Sequence, residues 1–161
     1  MAETTDAGSY RVERSVDVSA PADTVYPYLV DFHRWTAWSP WEDIDPRLQR
    51  SYSGSESGVG AVYEWSGNRK AGQGRMEILE ASAPTALEIR LDFLKPFKSS
   101  SVASFALTAE GAATRVMWTM VGSNTFMTRV IGVFMSMDKM IGPDFEKGLG
   151  RLKALTEARG S

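Results

Sequence analysis

The stretch 125-TFMTRVIGVFMSMDKMIG-142, followed directly by 143-PDFEKGLGRLKALTEAR-159, decides the fold. In its first part the apolar residues Phe126, Met127, Val130, Ile131, Val133, Phe134, Met135, Met137, Met140 and Ile141 leave only a narrow polar strip at Thr128, Arg129, Gly132, Ser136 and Lys139. In the second part Phe145, Leu149, Leu152 and Leu155 recur at helical spacing, as on an amphipathic helix. A helix that is apolar nearly all round has to be wrapped, so the rest of the chain is expected to supply a wrapper. Pro143 is expected either to kink this helix or to start it afresh.

The segments before the helix read as strands. Residues 10–18 alternate, with Val12, Val16 and Val18 on one face and Arg14 interrupting them. Ser19-Ala20-Pro21-Ala22-Asp23 opens a short helix that ends near Asp31, and Val25, Tyr28 and Leu29 form its apolar side. Phe32, Trp35 and Trp38 lie three apart, which predicts a second short helix stopped by Pro40. From Arg47 to Val121 six strands follow, joined by Gly-, Ser- and Pro-bearing turns. Val59, Ala61, Tyr63 and Trp65 share one face of the second of these. Residues 86–94 give the cleanest alternation, Leu87, Ile89, Leu91 and Phe93 against Glu88, Arg90 and Asp92. Short turns imply antiparallel neighbours, and the common apolar face needs a cover that only the C-terminal helix is large enough to give. The expected architecture is α+β, a curved antiparallel sheet of about seven strands around a long C-terminal helix, with two short helices after strand 1. Residues 1–9 are expected to be a disordered leader and 10–159 a single domain.

The chain has 161 residues, 43% of them hydrophobic and 24% charged, with a formal net charge of -2. Without a basic patch, nucleic acid is not expected as a partner. The sequence has no cysteine, which excludes disulfides and thiol chemistry. The polar, acidic start carries no secretory pattern, and the run from Val130 to Met137 is far shorter than a membrane span of about 20 residues. A cytoplasmic monomer or homodimer with no stable membrane insertion is the expectation. His33 is the only histidine, and Glu42, Asp43 and Asp45 read as a solvated loop with Asp45 ahead of Pro46 in a turn, so no metal or cofactor is expected.

Several stretches carry a family resemblance: 15-SVDVSAPADTVYPYLVDFHRWTAWSPWEDIDP-46, 58-GVGAVYEWSGN-68, 72-GQGRMEILE-80, 114-TRVMWTM-120 and 140-MIGPDFEKGLGRLK-153. Together they resemble the START-like (SRPBCC) superfamily of Bet v 1-like helix-grip proteins, and most of all its bacterial polyketide cyclase/dehydrase-type branch. The resemblance implies a cavity between sheet and helix that takes a small hydrophobic or amphipathic molecule, lipid-like or aromatic. The residues expected to line it are Trp35, Trp38 and Trp41, with Tyr63, Trp65, Met76, Ile78, Ile89, Leu91, Phe93, Phe105, Trp118 and Met120 from the strands. Met127, Phe134 and Met137 are expected from the helix. Methionine suits an adaptable wall, and the tryptophan cluster suits a lid or mouth; direct packing of the same set into a solid core is the alternative.

Members of this branch share a pocket rather than a catalytic set, so a binding module is the leading expectation. A cyclase or dehydratase would need an acid or base in the cavity. Glu64 faces outward by alternation and would turn inward only with a shift of register; Glu80 is a borderline position on the next strand, and His33 could act as a base. Arg14 is expected either to pair with such an acid or ligand or to lie at the rim with its stem buried. A third reading, a protein-interaction module like the chaperone activators of this superfamily, would need the tryptophan cluster exposed. The pairs Gly58/Gly60 and Gly72/Gly74 lack the helix that follows a phosphate loop and are read as bends that curl the sheet.

Overall fold

The computed structural model of the chain describes residues 9–43, 45–68, 71–95, 98–123 and 137–160. Strand β1 spans Ser9–Val18, α1 Ala22–Val25 and α2 Pro27–Val30. Two 3-10 turns follow, Phe32–Ala37 and Pro40–Asp43. Strands β2 (Gln49–Gly54), β3 (Ala61–Ser66), β4 (Gln73–Ser82), β5 (Ala86–Lys95), β6 (Ser99–Glu110) and β7 (Ala113–Ser123) lead to helix α3, Met137–Gly160. The strands form one seven-stranded antiparallel sheet in the order β1-β7-β6-β5-β4-β3-β2. The first and last strands therefore pair, Val12 opposite Met120 and Arg14 opposite Trp118.

Alternation puts one face of this sheet indoors. Ile78, Leu87, Ile89, Phe105, Val116 and Trp118 are each at most 2% exposed. Two bulges bend it. One at Gln73/Gly74 leaves Leu94 without a partner on β4, and one at Ile78/Glu80 takes up Leu79. An extra residue in one strand of a pair increases local twist, and this lets the sheet curl. Gly58 and Gly60 adopt φ of 72° and 94°, in the turn before β3, so the Gly58/Gly60 reading as a bend holds. Val59 between them sits in that turn and is 58% exposed. The alternation that groups it with Ala61 starts two residues later than the sequence pattern suggests.

Helix α3 lies across the concave face. Phe145, Leu149 and Leu152 are at most 1% exposed, and the Thr156 hydroxyl satisfies itself on the Leu152 carbonyl at 2.7 Å. The helix continues through Pro143 rather than starting there. Arg14 from β1 passes beside Gly142, where a side chain would collide with the guanidinium, and its Nε donates to Glu146 Oε2 at 2.8 Å. The ion pair is thus made on the helix. The Glu157 carboxylate accepts from the Ser19 backbone N–H and from Lys153 Nζ, each at 2.7 Å, and so ties the end of the helix to the end of β1.

The three-residue spacing of Phe32, Trp35 and Trp38 is satisfied by a 3-10 turn, whose period of three stacks them on one side. Asp31 caps it, its Oδ1 accepting the His33 backbone N–H at 3.0 Å. Trp35 and Trp38 each donate their indole N–H at 2.9 Å, to the carbonyls of Leu29 and Tyr28.

Candidate functional site

The concave face and α3 do not meet everywhere. Between them lies a partly enclosed cavity of about 170 Å³. Tyr63 and Trp65 of β3, Met76 of β4, Leu91 and Phe93 of β5, Ala103 of β6, and Trp118 and Met120 of β7 form its sheet side. Ile141 and Phe145 form its helix side, and Trp35, Ser39 and Trp41 close it from the 3-10 turns, with Leu48 and Ala71 at the β2 and β4 ends.

Each wall has a local cause. Trp65 stands directly over Gly74, its neighbour in the β3–β4 ladder, because a Cβ on Gly74 would collide with the indole ring. Its N–H is fixed on the Ala71 carbonyl at 2.9 Å, and Phe93 meets it edge-on at 5.6 Å. Trp118 is packed parallel to Phe145 of the helix, ring centres 3.9 Å apart and planes 3° apart, and also stacks with Phe105 at 5.0 Å. Trp35, Trp38 and Trp41 reach the same indole at 6.3, 5.4 and 5.6 Å, near perpendicular.

Most of the residues expected at the cavity are there: Trp35, Trp41, Tyr63, Trp65, Met76, Leu91, Phe93, Trp118 and Met120. Trp38, Ile78, Ile89 and Phe105 are instead packed into the core behind it, each at most 1% exposed. Met127 and Phe134 lie outside the described residues, as does the side chain of Met137. Trp35 and Trp41 form walls rather than a loose lid, with Trp38 packed behind them. Trp35 is 4% and Trp38 0% exposed, and with about 150–250 Å² buried per ring, lifting one out costs on the order of 4–6 kcal/mol. The same burial removes the exposed tryptophan patch that an interaction module would need.

The weak catalytic candidates lie elsewhere. Glu64 is exposed on the outer face, opposite Ser51 and Arg75, because β3 keeps its register. Strict alternation would carry Glu80 inward after Met76 and Ile78. The bulge that takes up Leu79 turns it out beside Glu88, and it is exposed. His33 is exposed too; its ring stacks on Tyr52 at 4.1 Å and its Nδ1 lies 2.8 Å from Asp31 Oδ1. Among the described residues that line the cavity there is no Asp, Glu, His, Lys or Arg.

Asp45, read from the sequence as part of a solvated loop, is instead buried at 8% exposure, because both its oxygens are taken by backbone amides, Arg47 at 2.8 Å and Asn68 at 2.7 Å. It joins the start of β2 to the β3–β4 turn. The side chains of Glu42 and Asp43 lie outside the description, and among the described residues no cluster of three or more potential ligands is found.

Sequence periodicity missed Phe145 as a wall residue, because an inward helical position looks the same whether sheet or empty space lies opposite. Ser39, Leu48 and Ala71 lie outside the strands and carry no periodic signal that would mark them, and Ala103 shares the inward face of β6 with Phe105 and Leu107 but is too small to stand out as a wall residue.

A family model described as "Polyketide cyclase / dehydrase and lipid transport" matches residues 9–157. The chain belongs to this polyketide cyclase/dehydrase and lipid transport family. No curated protein matches it by sequence. Among solved structures, protein CV1439 from Chromobacterium violaceum is similar at 15% identity and a TM-score of 0.64, covering 93% of this chain and 97% of that one. Protein MLL2253 from Mesorhizobium loti is similar at 20% identity and 0.64, covering 91% and 98%. Ara h 8.0201 is similar at 10% identity and 0.60, covering 94% and 99%. These likenesses give this family member the Bet v 1-like helix-grip fold. Among its described residues no helix is long and apolar enough to cross a membrane.

Proposed function

We propose that residues 10–159 work as one ligand-binding unit, holding a small hydrophobic or amphipathic molecule between the sheet and α3. The observation that carries this reading is the wall itself. It is built almost wholly of aromatic and aliphatic side chains, and Tyr63 is the only titratable residue among those described in it. An enzyme of the cyclase or dehydratase type needs a proton donor or acceptor at the reacting atom, and Glu64, Glu80 and His33 do not line the cavity.

The volume limits the occupant. An apolar cavity of about 150 Å³ admits benzene, and sites for drug-sized ligands run to about 300–1,000 Å³. About 170 Å³ therefore suits one aromatic ring with a short substituent, or a short stretch of acyl chain. A fused multi-ring polyketide would require the wall to move. The proposed setting is the cytoplasm, where such a protein would carry or sequester an apolar metabolite.

Ethylbenzene is a suitable probe. The tryptophans in the wall make fluorescence a direct readout, and binding also raises the melting temperature. At ten times the Kd the stabilisation is about 1.4 kcal/mol, or roughly 3–6 °C for a domain of this size. A saturable change in fluorescence with a matching thermal shift supports the reading. No saturable change up to the solubility limit of the probe refutes it.

A further inference from the structure

Two small residues stand among large ones on the concave face, Gly74 of β4 and Ala103 of β6, and they are used differently. The room over Gly74 is taken, because the Trp65 ring lies where a Cβ would go. Ala103 lines the cavity. Alternation along β6 turns it inward with the buried Phe105 and Leu107, while Val102 and Ala106 are exposed on the outer face. Its side chain is a single methyl group, so that methyl is what β6 presents to the cavity. Ala103 is the one residue of β6 among the described lining residues.

Its neighbours show what the small side chain leaves open. Ala103 pairs with Ile89 of β5 and with Met120 of β7. Ile89 is wholly buried in the core, and Met120 lines the cavity. At the next inward position of β6, Phe105 fills the core against Trp35, Trp38 and Trp118, with ring centres 6.0, 6.1 and 5.0 Å away. The concave face thus steps from packed core to open space at Ala103. We propose that Ala103 sets the size limit of the ligand, so that the class selected is a single aromatic ring with a short alkyl substituent. This rests on the cavity reading above. Met76 and Met120 in the same wall have flexible side chains that can give way to a larger guest. The methyl of Ala103 cannot, because it stands directly on a strand held between β5 and β7.

The test changes this side chain in both directions. Kd values for ethylbenzene and n-propylbenzene are measured by calorimetry on the native chain, Ala103→Gly and Ala103→Val. Ala106→Val, exposed on the outer face of the same strand, is the control. A methylene more or less in an apolar pocket is worth about 10- to 200-fold in discrimination. Ala103→Gly should therefore lower the ratio of the n-propylbenzene Kd to the ethylbenzene Kd by about tenfold or more. Ala103→Val should weaken ethylbenzene binding by about tenfold or more. Its ligand-free form should melt at or above the native temperature, since the added carbons enter open space. Ala106→Val should leave both Kd values unchanged.

If ethylbenzene binds the native chain and Ala103→Val alike, Ala103 does not bound the ligand; the proposal falls and the cavity reading stands. An unchanged Kd ratio in Ala103→Gly has the same meaning. An Ala103→Val chain that melts below the native one, or does not fold, shows that the methyl already meets packed atoms, and this overturns the proposal too. If the native chain binds neither probe, the cavity reading falls with it.

Discussion

Helix α3 carries two glycines, two residues apart, that should respond oppositely to the same substitution. Gly150 is exposed, and a Cβ added there would meet nothing within 4 Å. Gly148 is buried, and its Cβ would lie 2.8 Å from Pro40 Cδ and 3.2 Å from Trp118 Cζ3. Alanine is favoured over glycine in a helix interior by about 0.8–1.0 kcal/mol, and both variants receive that gain. Gly150→Ala receives nothing else, so it should stabilise by about 1 kcal/mol and raise the melting temperature by roughly 2–4 °C. Gly148→Ala must also push helix and wall apart. The Pro40 ring is rigid and Trp118 is held by its stack with Phe145, so neither yields easily. Overpacking of this kind costs about 1–3 kcal/mol, which leaves the variant between neutral and about 2 kcal/mol destabilised. The difference between the two variants, about 1–3 kcal/mol, isolates the packing cost. Urea titration of both gives it directly. If Gly148→Ala stabilises as much as Gly150→Ala, the helix is not seated on Pro40 and Trp118, and the geometry of this end of the cavity is wrong.

Other variants probe the remaining walls. Gly74→Ala should displace the Trp65 ring, destabilising by about 1–3 kcal/mol and weakening ethylbenzene binding in parallel; normal stability and affinity would mean that Trp65 does not lie over Gly74. Leu152→Ala, at a site with no exposure, should cost about 2–5 kcal/mol in chemical denaturation, and a loss within 0.5 kcal/mol, typical of surface changes, would contradict the packing of α3 on the sheet. Glu157 should make part of the stability depend on acid. Lys153, first, and the Ser19 backbone N–H hold its carboxyl below the ordinary 4.5. A lowered carboxylate contributes above its unfolded value and loses that contribution as pH falls through the folded one. The melting temperature of the native chain should therefore fall more steeply below pH 4.5 than that of Glu157→Gln; equal slopes would remove Glu157 from the acid response.

The fold was legible because the sheet advertises itself. The alternation of β5, with Leu87 and Ile89 inward, survives intact, and the apolar face of α3 falls at Phe145, Leu149 and Leu152 as the spacing predicts. Side-chain direction was less legible wherever the backbone adds a residue. The bulge at Leu79 reverses Glu80, and the turn formed by Gly58 and Gly60 puts Val59 in water. Period-two reasoning has no term for either. The cavity was legible as a composition and not as a shape. Ile78 and Ile89 carry the same pattern as Met76 and Leu91, yet the first pair fills the core and the second lines the space. What separates them is where α3 and the tryptophan turn sit above the sheet, and that depends on contacts between Gly148, Pro40 and Trp118 that no local pattern encodes.

The central claim is that the space between the sheet and α3 receives a small apolar ligand. A crystal of the protein exposed to ethylbenzene tests it most directly. The account predicts ring density enclosed by Tyr63, Met76, Phe93, Met120, Trp118 and Phe145, with the rest of the wall unmoved. Ethylbenzene found only on the outer surface, or that same space filled by the protein's own side chains, would contradict it.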